Sequence, residues 1–195
     1  MMTMEQEREY IQQARVDARA FAPLYDHYFP RVRAYVCYRV YDPQDAEDVI
    51  ADVFFKALRN LKRFKWRHAN SFAAWLFRIA RNQIVDYGRR RSRAAIALEA
   101  EGGLAGLADP SPLPRESLAQ QERFEQMRAL IATLSPRRQE VITLKFYAGL
   151  RNLEIARVLG LNERTVAAHL CRALQDLERK HAGETEPERM MEVVT

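Results

Sequence analysis

Residues Ser71–Arg93, SFAAWLFRIARNQIVDYGRRRSR, constrain the fold more than any other stretch of this chain. At 3.6 residues per turn, Phe72, Trp75, Leu76, Ile79 and Gln83 fall along one side, with Ala80 beside them. Arg78, Arg81, Asn82 and Arg89 fall along the other, and Arg89, Arg90, Arg91 and Arg93 load the far end. The pattern predicts a helix with one side fitted for burial and the other for an anionic partner that also presents hydrogen-bonding groups. From Lys56 to Arg93 there are twelve Lys/Arg (56, 59, 62, 63, 65, 67, 78, 81, 89, 90, 91, 93) against one acid, Asp86. Nucleic acid is the first partner such an imbalance suggests.

The rest of the chain reads as helix too. Seven glycines in 195 residues, with almost no Val/Ile/Thr alternation, argue against a sheet protein and for an all-α fold. The formal charge of +5 is uneven: residues 1–91 carry 17 bases and 11 acids, 92–121 carry 2 and 4, and 122–195 carry 12 and 11. The positive excess therefore belongs to the N-terminal half. Cys37 and Cys171 have no neighbouring Cys or His at ligand spacing, so zinc is not expected and reduced thiols are. No apolar run approaches the roughly 18 residues that span a bilayer. The N-terminus, MMTMEQEREY, is polar and acidic rather than a leader. A cytoplasmic protein without membrane insertion is the expectation.

Taken in order, residues 5–22 and 23–41 read as helices, with Pro23 suited to a first turn. Asp42-Pro43 opens a helix to Leu61 that buries Ala46, Val49, Ile50, Val53, Phe54, Ala57 and Leu58 and carries Asp45, Asp48 and Asp52 on another face. Phe64–Asn70 reads as a short polar loop, and Ser71 as the cap of the helix described above. Residues 94–118 hold Gly102, Gly103, Gly106, Pro110, Pro112 and Pro114 and read as a flexible linker. This gives two small helical domains, 5–93 and 119–181, followed by a frayed tail, 182–195. In the second, Ser135-Pro136 opens a helix to Tyr147, Asn152 caps Leu153–Leu159, and Gly160-Leu161-Asn162 turns the chain into Glu163–Lys180. Two helices joined by a three-residue turn containing Gly form a helix-turn-helix. Its small core is expected from Ile155, Ala156, Leu159, Leu161, Val166, Leu170 and Leu174.

Three segments together, DAEDVIADVFFKAL (45–58), WLFRIARNQIVDYGRRRSR (75–93) and LSPRRQEVITLKFYAGLRNLEIARVLGLNERTVAAHLCRAL (134–174), resemble the extracytoplasmic-function (ECF) group of bacterial RNA polymerase sigma factors. The resemblance covers roughly 21–93 and 134–180. It implies that the partners are core RNA polymerase, through the clamp coiled coil of its largest subunit and its beta flap, and promoter DNA. An anti-sigma factor is a further partner the family implies. Asp45, Asp48, Asp52, Phe55 and Lys56 would dock on the polymerase. Lys65, Trp66, Arg67, His68 and Asn70 would form a pocket loop at the −10 element. Arg78, Arg81, Arg89, Arg90 and Arg91 would meet phosphates there, Asn82 would read a base, and Asp86 would assist. Arg137, Arg164, Thr165, Ala168, His169 and Arg172 would meet the −35 element. The family's basic and hydroxyl residues near 167–169 are replaced here by Ala167-Ala168-His169.

The chemistry asked of these residues is binding. Strand opening needs contacts that offset lost stacking, a few kcal/mol per base, and cations with amides and aromatics supply them. No catalytic residue and no cofactor are expected. Trp75 lies on the apolar stripe and reads as core rather than as a base-stacking ring. Two other readings compete. One is a stand-alone regulator using only the helix-turn-helix, which leaves the acidic and basic segments of the N-terminal half without a role. The other is a nuclease holding Mg²⁺ on Asp45, Asp48 and Asp52, which lacks a supporting His or Glu from a second element.

Overall fold

The computed structural model describes residues 2–66, 71–100 and 118–192, with side chains for 2–66, 71–94 and 122–180. Among the described residues there are eight α-helices and no strand. The chain divides into two compact units, Met1–Leu113 and Pro114–Thr195.

In the first unit, α1 (Met4–Ala14) opens with a reciprocal cap. The Gln6 N–H donates to Thr3 Oγ1 at 3.2 Å, and the Thr3 N–H donates to Gln6 Oε1 at 2.9 Å. The helix stops at Ala14, eight residues short of the sequence expectation. Asp17 is the reason: its carboxylate accepts the Arg19 N–H at 2.9 Å and starts a 3-10 turn, Ala18–Phe21. A short polar side chain that bonds its own backbone competes with helix continuation. Then α2 (Ala22–Arg39) begins, with Pro23 in its first turn.

Asp42 caps α3 (Pro43–Asn60), its carboxylate accepting the N–H groups of Gln44 and Asp45, both at 2.9 Å. The stripe Ala46, Val49, Ile50, Val53, Phe54 and Ala57 is buried as the periodicity predicts, with Leu58 half-buried. The first residue of the segment expected as a polar loop is anchored: Phe64 is buried against Phe72 and Trp75, with centroids at 5.6 and 5.0 Å.

Helix α4 (Ser71–Ala100) starts inside the unit and is exposed from Gly88 to Ala94. Phe72, Ala73, Ala74, Leu76, Phe77, Ala80 and Ile84 are all buried, so its first turns are enclosed on more than one side. The sequence expectation of a single apolar face holds only from about Arg81 onward, because α2 packs on the early part through Tyr28 on Phe72 and Tyr35 on Phe77, with centroids at 5.3 and 5.8 Å. Trp75 is half-buried between Phe64 and Phe72. Past Arg93 the backbone remains helical to Ala100, inside what reads as linker in the sequence. Residues 101–117 lie outside the described residues, and so does the expected flexible connection.

The second unit holds α5 (Leu118–Ala132), α6 (Pro136–Phe146), α7 (Asn152–Leu159) and α8 (Glu163–Glu192). Its core is Ile131, Leu134, Val141, Ile142, Leu144, Ala148, Leu150, Ile155, Ala156, Val158, Val166 and Ala173. Leu159, Leu161 and Leu170 are half-buried and Leu174 is 38% exposed, so the interior lies more on α6 than the sequence suggests. The Gln139 side-chain amide donates to Ala132 O at 2.9 Å and Leu134 O at 2.7 Å, fixing the turn from α5 to α6. The backbone of α8 continues to Glu192 where fraying was expected from 182.

Candidate nucleic-acid interface

Helix α3 sorts its polar residues onto two faces. Asp45, Asp52 and Lys56 turn toward α4, whereas Asp48 and Phe55 lie on a solvent stripe with Gln44, Ala51 and Arg59. Phe55 is 64% exposed, an unusual position for a large apolar ring. Of the five residues expected to dock on polymerase, Asp48 and Phe55 are thus the exposed pair, and Asp45, Asp52 and Lys56 are half-buried beside them.

The contacts between α3 and α4 are specific. Tyr87 Oη donates to Asp45 Oδ2 at 2.7 Å, and Arg91 Nη1 donates to Tyr87 Oη at 2.8 Å while lying 3.9 Å from Asp45 Oδ2. Burial, reinforced by the bond to Asp45, pushes the Tyr87 phenol up, so it stays protonated and donates. One turn earlier on α4, buried Gln83 accepts from Lys56 Nζ at 2.6 Å. This explains why a glutamine sits in the apolar stripe: it satisfies an amine leaving α3. Asp52, Lys56, Gln83, Asp86, Arg89, Arg90 and Arg93 border a groove of about 310 Å³.

The outward side of α4 carries Arg78, Asn82, Asp86, Arg89 and Arg90, all exposed, with Asp86 3.9 Å from Arg89. Arg81 is half-buried, off the stripe on which the sequence places it. Arg91 is exposed but engaged by Tyr87 and Asp45. Ahead of the helix, Lys65 is exposed and Trp66 half-buried; Arg67, His68 and Asn70 lie outside the described residues.

In the second unit the helix-turn-helix is built by its turn. Gly160 takes φ +67°, a left-handed conformation that suits glycine, and the Leu161 N–H bonds Ala156 O at 2.9 Å. Asn162 caps α8, its Oδ1 accepting the Thr165 N–H at 2.7 Å and the Thr165 hydroxyl at 2.8 Å. The sequence reading treats Asn162 as turn only, although Asn before a helical run is a cap signal. Thr165 is half-buried and spends its hydroxyl proton on that cap, which leaves its oxygen as an acceptor. At the start of α7, Asn152 is a helical residue rather than a cap, and the Glu154 carboxylate accepts the Arg151 N–H at 2.5 Å.

On α8, Arg164, Ala168 and Arg172 are exposed and His169 is half-buried. Burial lowers the His169 pKa, and the fields of Arg137, Arg138 and Arg172 lower it further. The start of α6 thus faces the same region as the first turns of α8. Arg138 is committed to Asp176, which also binds Arg179, whereas Arg137 is exposed. Among the described residues, no group of three or more His, Cys, Asp or Glu is placed to hold a metal ion. Likewise, no described helix is long and apolar enough to cross a membrane.

Comparison with known proteins fits this architecture. Residues 24–94 match the family Sigma-70 region 2, and residues 124–177 match Sigma-70, region 4. The chain is 32% identical over 151 residues to the ECF RNA polymerase sigma factor SigF of Caulobacter vibrioides, covering 77% of this chain and 79% of SigF. It is 33% identical over 163 residues to the ECF RNA polymerase sigma factor BldN of Streptomyces coelicolor, covering 84% of this chain and 61% of BldN's length. The fold is shared with the sigma factor RpoE of Bartonella quintana, solved with the anti-sigma factor NepR, at TM-score 0.63 and 24% identity over 82% of this chain and 94% of that one. The class so defined is that of the sigma-70 factors, represented by their regions 2 and 4. Within it, the chain belongs to the ECF RNA polymerase sigma factors. A stand-alone helix-turn-helix regulator is not favoured, since it accounts for region 4 alone.

Proposed function

We propose that residues 5–93 dock core RNA polymerase and read and open the −10 element, and that residues 119–181 read the −35 element. The observation that carries this is the division of labour between α3 and α4: an exposed Asp48–Phe55 stripe on one helix and an exposed Arg78–Asn82–Arg89–Arg90 stripe on the next. The first has the acid and apolar ring of a protein-docking edge. The second has cations for phosphates and an amide for a base edge. Lys65 and Trp66 extend it as the near side of the pocket loop.

Arg164, Ala168, Arg172 and Arg137 form the duplex-facing set in the second unit. An arginine there is worth roughly 1–3 kcal/mol of discrimination if it takes a guanine. Exposed Phe146 and Leu153, at 59% and 45%, offer an apolar edge for the polymerase flap. No residue carries a catalytic step; nucleotide addition belongs to the polymerase. The protein acts in the cytoplasm, and an anti-sigma factor covers the same docking stripe.

The test is run-off transcription on a promoter library with purified core polymerase, with and without this protein. New start sites sharing −35 and −10 elements are expected. Asn82→Ala should then lose −10 selectivity while keeping polymerase binding. Failure of core polymerase to bind or initiate with the protein would overturn the proposal.

A further inference from the structure

The face of α8 that carries Thr165, His169 and Arg172 continues to Asp176, which lies 11, 7 and 4 residues further along the same helix. A carboxylate on that face repels any phosphate that approaches it. Both of its oxygens are occupied: Oδ2 accepts from Arg138 Nη1, in the first turn of α6, and Oδ1 accepts from Arg179 Nη2, one turn further along α8. Arg138 and Asp176 are both half-buried, whereas Arg179 is exposed. Salt therefore screens the Arg138–Asp176 pair less than it would a surface pair. Arg138 also lies near the readers on α8. It follows exposed Arg137 in the chain, and its field lowers the His169 pKa more than that of Arg172 does, although Arg172 shares a helix with His169.

Phosphate contacts are blind to sequence, and base contacts are not. A guanidinium left free beside Arg137 would meet phosphate on any duplex. Non-specific binding gains most from such a cation, because the protein can shift along the backbone until the contact is made. A complex that reads bases is held in one register and gains less. We propose that Asp176 is a specificity-determining residue that withholds Arg138 from DNA phosphates, so that the −35 element is read against a weaker non-specific background. This rests on the proposed −35 reading and adds to it two residues outside the duplex-facing set. A tie between α6 and α8 that served stability alone would act equally on every DNA sequence.

The experiment measures holoenzyme affinity across a salt series for two duplexes, one with a −35 element recovered by run-off and one with that element scrambled. Asp176→Asn keeps the side-chain shape and one acceptor oxygen while removing the charge. It should tighten binding to the scrambled duplex about 5-fold near 0.15 M salt and steepen the salt slope by about 0.9, the value for one duplex phosphate contact. Binding to the −35 duplex should tighten less, so the ratio between the two affinities falls. Arg138→Gln alone should leave both slopes at the wild-type value, and combined with Asp176→Asn it should cancel the steeper slope. Unchanged slopes for Asp176→Asn, or an equal change on both duplexes, would overturn the inference and leave a structural tie. A slope flattened by Arg138→Gln alone would also overturn it, since Arg138 would already be meeting phosphate. A steep slope that persists in the double variant would overturn it by assigning the effect to Arg179. A wild-type holoenzyme that does not distinguish the two duplexes would overturn the −35 reading itself, and the inference with it.

Discussion

Under the proposed −35 contact, His169 sits in a setting that changes when DNA arrives. Burial and three arginines hold its pKa below the ordinary value in the unliganded protein. A phosphate nearby would favour the imidazolium, so binding should take up a proton. Affinity of the holoenzyme for −35 duplex should therefore rise as pH falls from 7 to 6, and His169→Gln should remove that dependence. The same shift acts on stability with opposite sense: a lowered folded pKa contributes nothing above the unfolded value near 6.5 and destabilises below it. Asp48 and Asp45 provide a contrast on one helix. Asp48→Arg should reduce binding to core polymerase, measured by co-sedimentation, without changing the melting temperature, because Asp48 is exposed. Asp45→Arg should lower the melting temperature too, since it sets a cation against Arg91 and removes the acceptor of Tyr87. The sequence places the three aspartates on one face. Which of them is engaged depends on where α4 lies, and spacing along α3 does not contain that.

Helices were the most legible feature, and their ends the least. The buried stripe of α3 follows from periodicity alone. The end of α1 does not, because it turns on Asp17 bonding its own backbone and on Arg15 reaching carbonyls 46 and 49 residues away. Asn162 was readable as a cap and Gly160 as a turn; the burial of α6 was not, since it depends on how α5, α7 and α8 surround it. Two glycines make the element scale testable. Gly88 lies mid-helix in α4 with open space where a Cβ would go, so Gly88→Ala should stabilise the first unit by about 0.5–1 kcal/mol in chemical denaturation. Gly160 also has open space, but its φ of +67° penalises any side chain. Gly160→Ala should cost roughly 1–2 kcal/mol in the second unit.

At the scale of the molecule, the order of acidic helix, basic helix and helix-turn-helix was readable because each has its own composition and spacing. What was not readable is how closely the first two are joined: Lys56 reaches Gln83, and Asp45 reaches Tyr87 and Arg91, across 27, 42 and 46 positions. The tie has an evolutionary consequence. A carboxylate at 45 is constrained from two sides, because changing it removes both the acceptor of the Tyr87 hydroxyl and the counter-charge near Arg91. In a lineage of such chains, positions 45, 87 and 91 should be inherited as a block, although the proposed function assigns one to a helix that meets protein and two to a helix that meets DNA. Promoter preference and polymerase compatibility then share part of their genetic record, and grafting α4 from a relative should succeed only when residue 45 travels with it.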